Sequence, residues 1–228
     1  MTKQERLEKE KERYRSLEAF DTGLRANGIR FLAGVDEVGR GPLAGPVTCA
    51  CVVLPADSGL LGVDDSKKLT DRRRRILSER ILETALAYGF GEQPPEVIDR
   101  INILEATKAA MREAVREADE MLRARTGQSL DLVVIDAVHV EGLGFPQRAV
   151  VRGDSTSLSV AAASVIAKVH RDDEMIALAE KFPGYGFEKN KGYGTRAHYE
   201  GLNRQGPSPV HRRTFLRSRG SYPRTSSD

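Results

Sequence analysis

With 228 residues and 39% hydrophobic content, the chain can bury one sizeable core, with or without a small appendage, and is not a disordered protein. A formal charge of +3 is too mild to establish a polyanionic partner by itself, and no stretch reaches the about 18 apolar residues of a membrane span. Cys49 and Cys51 stand two apart on one predicted strand, a poor arrangement for a disulfide, and the charged N-terminus shows no signal-peptide pattern. A cytoplasmic protein in a reducing compartment, with no membrane partner, is expected.

Residues 1–29 form a predicted N-terminal helical extension, dense in Lys, Glu and Arg, with Leu7, Tyr14, Leu17, Phe20 and Leu24 at helical spacing and Gly28 as its stop. It packs on the main body in one reading and serves as a basic arm for nucleic acid in the other. A strand over 31–37 then runs into Asp36-Glu37, the turn Gly39-Arg40-Gly41 follows, and a second strand covers 47–54. Asp64-Asp65-Ser66-Lys67-Lys68-Leu69 precedes a helix over 71–88 with Thr70 as its cap. Ser66 and Lys67 offer a hydroxyl and an ammonium to a phosphate, or simply build a loop and cap. The run Arg72 to Arg75 and the C-terminal Arg212, Arg213, Arg217, Arg219 and Arg224 read either as a nucleic-acid face or as solvated surface.

A short strand is expected at 89–91 and a short helix at 96–100. A long helix over 102–125 follows, capped by Asn102 and apolar along Ile103, Ala106, Ala110, Ala114 and Met121. Leu130 to Asp136 reads as a parallel central strand, buried on both faces and ending in an acid where open α/β sheets hold ligands. Ala149 to Asp154 repeats the pattern of strand, glycine and acid before a helix over 158–181, capped by Ser155, Thr156 or Ser157. Strand termination also accounts for Asp136, and helix capping for Asp154. Residues 185–194 mix glycine, lysine and the rings Tyr185, Phe187 and Tyr193, a texture suited to stacking on sugars or bases, or to pinning a loop to the body. The polar tail 218–228 is expected to be disordered.

Two adjacent anions at the end of a buried strand repel each other and lose hydration, so they need compensating positive charge. Asp36, Glu37, Asp136 and Asp154 supply oxygen ligands with no His or Cys beside them, which favours Mg²⁺ or Mn²⁺ over zinc. Such a cluster can hold two ions about 3.5–4 Å apart that clamp the attacking and leaving oxygens of a phosphodiester. Arg40 between two glycines suits a phosphodiester or a sugar hydroxyl. One geometric difficulty stands out. Neighbours on a regular strand face opposite sides, so Asp36 and Glu37 share an ion only if the strand bends or one contributes its main-chain oxygen.

The stretch Gly34-Val35-Asp36-Glu37-Val38-Gly39-Arg40-Gly41-Pro42-Leu43-Ala44-Gly45-Pro46-Val47 resembles the opening signature of bacterial ribonuclease HII, the type 2 ribonuclease H. Asp64 to Leu69, Val134-Ile135-Asp136, Gly153-Asp154-Ser155, Ser164 to Val169, Gly192 to Thr195 and His211 to Phe215 extend the likeness over about residues 30–217. The resemblance implies a ribonuclease H-like α/β fold, a mixed five-stranded sheet flanked by helices, with the catalytic domain at 30–181 and a small helical, substrate-binding C-terminal segment at 182–217. It implies a metal-dependent endoribonuclease that cuts the RNA strand of RNA–DNA hybrids. Incision 5′ of ribonucleotides embedded in duplex DNA, leaving 5′-phosphate and 3′-hydroxyl ends, is implied as well.

In that reading Asp36, Glu37, Asp136 and Asp154 match the acidic quartet of the family. Gly39, Arg40 and Gly41 would read the 2′-hydroxyl, Tyr193 would pack on the neighbouring deoxyribose, and Ser66, Lys67 and Asn102 would contact substrate. A monomer is expected, with any replication or repair partner left open. Ala137 stands where a glycine is common and Thr214 where a serine is expected; neither departure removes a ligand. Two alternatives remain: a resolvase- or transposase-like nuclease of the same fold, and a non-catalytic hybrid-binding module, against which four anions facing a phosphate speak.

Overall fold

The computed structural model describes residues 2–217; the tail expected to be disordered falls outside them. The central strand β1 (Leu32–Val38) pairs antiparallel with β2 (Val47–Val53), which pairs antiparallel with β3 (Ala87–Gln93). On its other side β1 runs parallel to β4 (Leu132–Asp136), itself parallel to β5 (Gln147–Val150). The order β3-β2-β1-β4-β5 is the expected mixed five-stranded sheet.

Every residue of β2 is buried, and its alternation divides two cores. Cys49, Cys51 and Val53 join Val35, Val133 and Ile135 beneath α4 (Ile103–Thr126). Ala50 and Val52 join the opposite layer, built from α5 (Leu158–Lys181), α2 (Asp71–Thr84) and α1 (Lys3–Arg25). Helix α5 lies directly on β1 because residue 34 is glycine: a Cβ there would stand 2.1 Å from the Ser159 carbonyl carbon. Both cysteines are free and buried.

Helix α1 packs on the body, as one of its two readings expected. It starts with a Thr2–Glu5 capping box and buries Tyr14, Leu17 and Leu24. Its buried Asp21 accepts from the Ser157 and Ser159 hydroxyls and from the Ser159 N–H, securing the start of α5. Ser157 caps α5 and Asn102 caps α4, following α3 (Pro95–Ile101). Helices α6 (Phe187–Asn190), α7 (Arg196–Gln205) and α8 (Arg213–Arg217) complete the C-terminal segment, whose core gathers Leu43, Met175, Phe187, Leu202 and Leu216. Among the described residues no helix is long and apolar enough to cross a membrane.

Three expectations are corrected. The helix expected to reach residue 88 ends at Thr84, because residues 87–93 pair along the whole of β2 with strictly alternating burial. The strand expected at 89–91 is therefore seven residues long. Strand β5 is a partly exposed edge, and Asp154 lies beyond it in a 3₁₀ turn, Gly153–Ser155, instead of at a strand end. The chain reaches that turn through Arg152 in the left-handed region at φ 57°, which breaks the strand.

Candidate active site

Strands β1 and β4 run in register through Val35 and Ile135, so Asp36 and Asp136 follow at the next step on adjacent central strands. By strand alternation both side chains leave on the α5 face. Strand β1 keeps its pairing with β2 through Val38 opposite Thr48, without a bulge. The bend that would turn Asp36 and Glu37 to one side is therefore absent, and Glu37 leaves toward the opposite face. The two acids still interact at the strand end. Burial first, then the charges of Glu37 and Asp136, push the Asp36 carboxyl well above the ordinary range. Burial also raises Glu37, opposed by Arg40 and reinforced by Asp136.

These acids do not form a ready cage: among the described residues no three carboxylate, histidine or cysteine side chains stand as a metal-binding group. Two of them point to other partners. Asp136 Oδ1 accepts from the Gly153 N–H at 2.6 Å, and Glu37 Oε1 accepts from Arg40 Nη1 at 3.3 Å. Glu37 Oε2 is buried with no hydrogen-bond partner. An orphaned carboxylate oxygen beside a raised carboxyl fits a hard divalent cation, which prefers oxygen donors.

The glycine-rich turn is fixed from beneath by two fully buried arginines, Arg171 of α5 and Arg212. Arg212 Nη2 donates to the carbonyls of Gly39 (2.6 Å) and Pro46 (2.9 Å), Nη1 to that of Arg40 (2.9 Å), and Nε to that of Gly45 (3.0 Å). Arg171 donates to the carbonyls of Ala44, Pro46 and Lys191. Neither forms an ion pair with an acid among the described residues; both are held mainly by carbonyl oxygens, and Arg212 also lies over the Phe215 ring. Gly39 is required twice over, with φ +90° and with Arg171 Nε 2.1 Å from where a Cβ would sit. Tyr193 is 46% exposed, and its ring carbon Cε1 stands 3.7 Å from the Cβ position of Gly41, so the turn and the ring form one continuous surface.

The third component is the Asp64–Leu69 turn. Lys67 stands close enough to the acids for Asp65, Asp36, Asp154 and Glu37 to raise its ammonium pKa against the opposing effect of burial. Asp154 is raised by burial, then by Asp65 and Asp136, with Lys67 opposing. Ser66, in contrast, is buried; its Oγ lies 2.8 Å from Ser164 Oγ, and Ser164 also bonds Asp36. Ser66 thus braces Asp36 through Ser164 and does not present an exposed hydroxyl. Asn102 is likewise engaged, its side-chain oxygen accepting from the Leu104 and Glu105 amides. Arg13 of α1 ties two turns together, donating to Asp64 Oδ1 (2.9 Å) and to the Ser155 carbonyl (3.1 Å).

Four arginines of the two basic runs are structural, while Arg219 and Arg224 lie outside the described residues. Arg74 is buried on the Ser66 and Leu69 carbonyls, Arg75 pairs with Asp71 and Asp173, Arg73 pairs with Glu10, and Arg212 sits inside the core. Among the site's supports, Arg13, Arg171 and the brace through Ser164 carried no sequence assignment. A single arginine at position 171 in a helix that packs on the sheet is the one signal that could have marked a buried cation.

The sequence model of the family described as Ribonuclease HII matches residues 33–219. The chain belongs to the ribonuclease HII family. A ribonuclease HII of Geotalea daltonii is 50% identical over 196 residues, covering 86% of this chain and 87% of that protein. One from Bacillus licheniformis is 45% identical over 215 residues, covering 94% and 81%. Among solved structures, ribonuclease H2 from Pyrococcus horikoshii OT3 superposes with a TM-score of 0.65 at 26% identity, covering 82% of this chain and 96% of that one. Ribonuclease HII from Archaeoglobus fulgidus, solved in complex with PCNA, gives 0.65 at 29%, covering 80% and 94%. The fold is thus ribonuclease H-like, and the chain is a hydrolase with ribonuclease H activity. Its family depends on divalent metal. The family match begins at residue 33, so α1 lies outside it.

Proposed function

We propose that this chain cleaves the RNA strand of RNA–DNA hybrids and incises 5′ of ribonucleotides embedded in duplex DNA, leaving 5′-phosphate and 3′-hydroxyl ends. The observation that carries this reading is the junction of two surfaces at the end of β1: Asp36 and Glu37, both held above the ordinary carboxylate range, with Glu37 Oε2 left without a partner, and a glycine-rich turn bordered by an exposed tyrosine. Asp36, Glu37, Asp136 and Asp154 are the residues that would hold Mg²⁺ or Mn²⁺. Two such ions, when bound, supply an activated water and charge stabilisation of the departing oxygen.

The chain's own groups do the rest. The Gly39-Arg40-Gly41 backbone is immobilised by Arg212 and Arg171, so its polar groups meet a ribose 2′-hydroxyl without reorganisation. Lys67, kept charged by the surrounding carboxylates, faces a phosphate of the cut strand. Tyr193 beside Gly41 packs on the adjacent deoxyribose and so favours an RNA-to-DNA junction. Ser66 and Asn102 support these contacts from behind, through Ser164 and the α4 cap.

The test is cleavage of an end-labelled duplex carrying one ribonucleotide, in Mg²⁺, Mn²⁺ or EDTA, with Asp36→Asn alongside. A single metal-dependent cut 5′ of the ribonucleotide is expected, with turnover lost and duplex binding retained in the variant. Cutting of all-DNA or branched duplexes, with the ribonucleotide ignored, would overturn the reading in favour of a resolvase-like nuclease.

A further inference from the structure

Two buried histidines outside the acid cluster fix each other's protons. His198 of α7 and His211 lie in an aromatic cage with Tyr185 and Phe187, the two imidazoles 5.2 Å apart between centroids. Their Nε2 atoms are 2.9 Å apart, so one donates to the other. The Ser208 N–H donates to His211 Nδ1 at 2.9 Å, which makes that nitrogen the acceptor. A neutral imidazole carries one donor and one acceptor nitrogen, so the His211 proton sits on Nε2 and is given to His198 Nε2. The His198 proton is then on Nδ1, which donates to the Tyr193 carbonyl at 2.9 Å.

Both rings are held uncharged at neutral pH: burial, joined by His198, lowers His211 to about 4, and burial lowers His198. The result is a one-way relay from the Ser208 amide through two rings to the Tyr193 backbone. An apolar pair would fill the same cage without desolvating four nitrogens. What the imidazoles add is direction. The backbone around the relay is tied to the glycine-rich turn: His211 bridges Ala44, and the Leu43 N–H donates to the Gly192 carbonyl.

We propose that His211 and His198 are positioning residues for Tyr193, holding its backbone so that the exposed ring stays over Gly41 and the RNA-to-DNA junction is distinguished. The inference rests on the role given to Tyr193 above, and its test separates the two. In protein labelled with ¹⁵N-histidine, NMR at pH 7 should show a neutral His211 protonated on Nε2 and a neutral His198 protonated on Nδ1. Kinetics then compare a duplex bearing one ribonucleotide with an all-RNA hybrid. The asparagine amide nitrogen can occupy the place of Nδ1, whereas that of glutamine extends toward Nε2. His198→Asn therefore keeps the donor to Tyr193, and His198→Gln loses it.

Measured where thermal melts show both variants folded, His198→Gln should lose about five- to tenfold of the junction preference through KM, the scale of one hydrogen bond, while His198→Asn stays within about twofold. An imidazolium or the reversed tautomers would overturn the proposal, and this readout stands even if His198→Gln does not fold. Folded His198→Gln with unchanged preference, beside a Tyr193→Ala that loses it, would overturn the relay and leave the role of Tyr193 intact. Unchanged preference in Tyr193→Ala would overturn both.

Discussion

Replacing Asp36 by asparagine should make the metal-free protein more stable while stopping turnover. Asp36 is 7% exposed, and burial together with Glu37 and Asp136 lifts its carboxyl well above the ordinary value of 3.8. Between those two values the native state holds a proton that the unfolded chain has released, so stability falls as pH rises through that window. Above it, the buried charge is a full liability. Asparagine removes the charge at nearly constant volume and keeps an acceptor for Ser164. A gain of about 1–2 kcal/mol is in the usual range for relieving strain at a functional site, or about 2–8 °C in Tm for a chain this size.

Divalent metal should reverse the ranking. An ion at 100 times its Kd stabilises the wild type by about 2.7 kcal/mol, and the variant should lack most of that gain. Cleavage should fall at least about 100-fold, as when an electrostatic contact to the reacting group is lost. Thermal melts in EDTA and in Mn²⁺ from pH 4 to 8, beside cleavage of a labelled duplex, measure all three effects. The EDTA advantage should shrink as the pH approaches 4. A variant less stable than wild type in EDTA at pH 8, or one with undiminished stabilisation by Mn²⁺, would refute the assignment of Asp36 as a strained ligand.

Three further outcomes follow from the same geometry. Gly39→Ala places a methyl 2.1 Å from Arg171 Nε at φ +90°, so it should cost about 2–4 kcal/mol in denaturant melts and reduce cleavage of the single-ribonucleotide duplex more than nonspecific duplex binding. Arg13→Gln frees the Asp64 and Ser155 turns; a stability loss of about 1 kcal/mol and a several-fold rise in the metal concentration for half-maximal rate are expected, and an unchanged metal titration would count against the brace. Glu174 is raised to about 7 by burial and by Glu92, so the protein loses stability as pH rises from 4.5 through 7. Glu174→Gln should therefore stabilise it at pH 8 and change little at pH 5 in thermal melts, and equal gains at both would exclude a raised Glu174 carboxyl.

Periodicity made the sheet and its two helical layers legible, because β2 and β4 are apolar runs and α4 repeats small residues along one side. The limits of that reading are equally specific. The boundary after Thr84 was lost because nothing between residues 81 and 88 breaks a helix, and only pairing with β2 selects the strand. The basic runs left two readings open for a related reason: charge counts do not show where a guanidinium ends. Arg212 stands among exposed-looking arginines in the sequence, yet it is fully buried, and four carbonyl contacts to the turn explain why.

Ala137 sits at φ 51° immediately after Asp136, so the backbone there adopts the left-handed conformation that glycine accepts without cost. The strain is tolerable because both sides are anchored: the Ala137 N–H donates to the Val150 carbonyl, and Asp136 Oδ1 is held by the Gly153 N–H. Those two bonds couple the end of β4 to the turn carrying Asp154. Strain at residue 137 and the placement of the acids on either side of it are therefore one problem, solved by the fold and invisible to a reading of either acid alone.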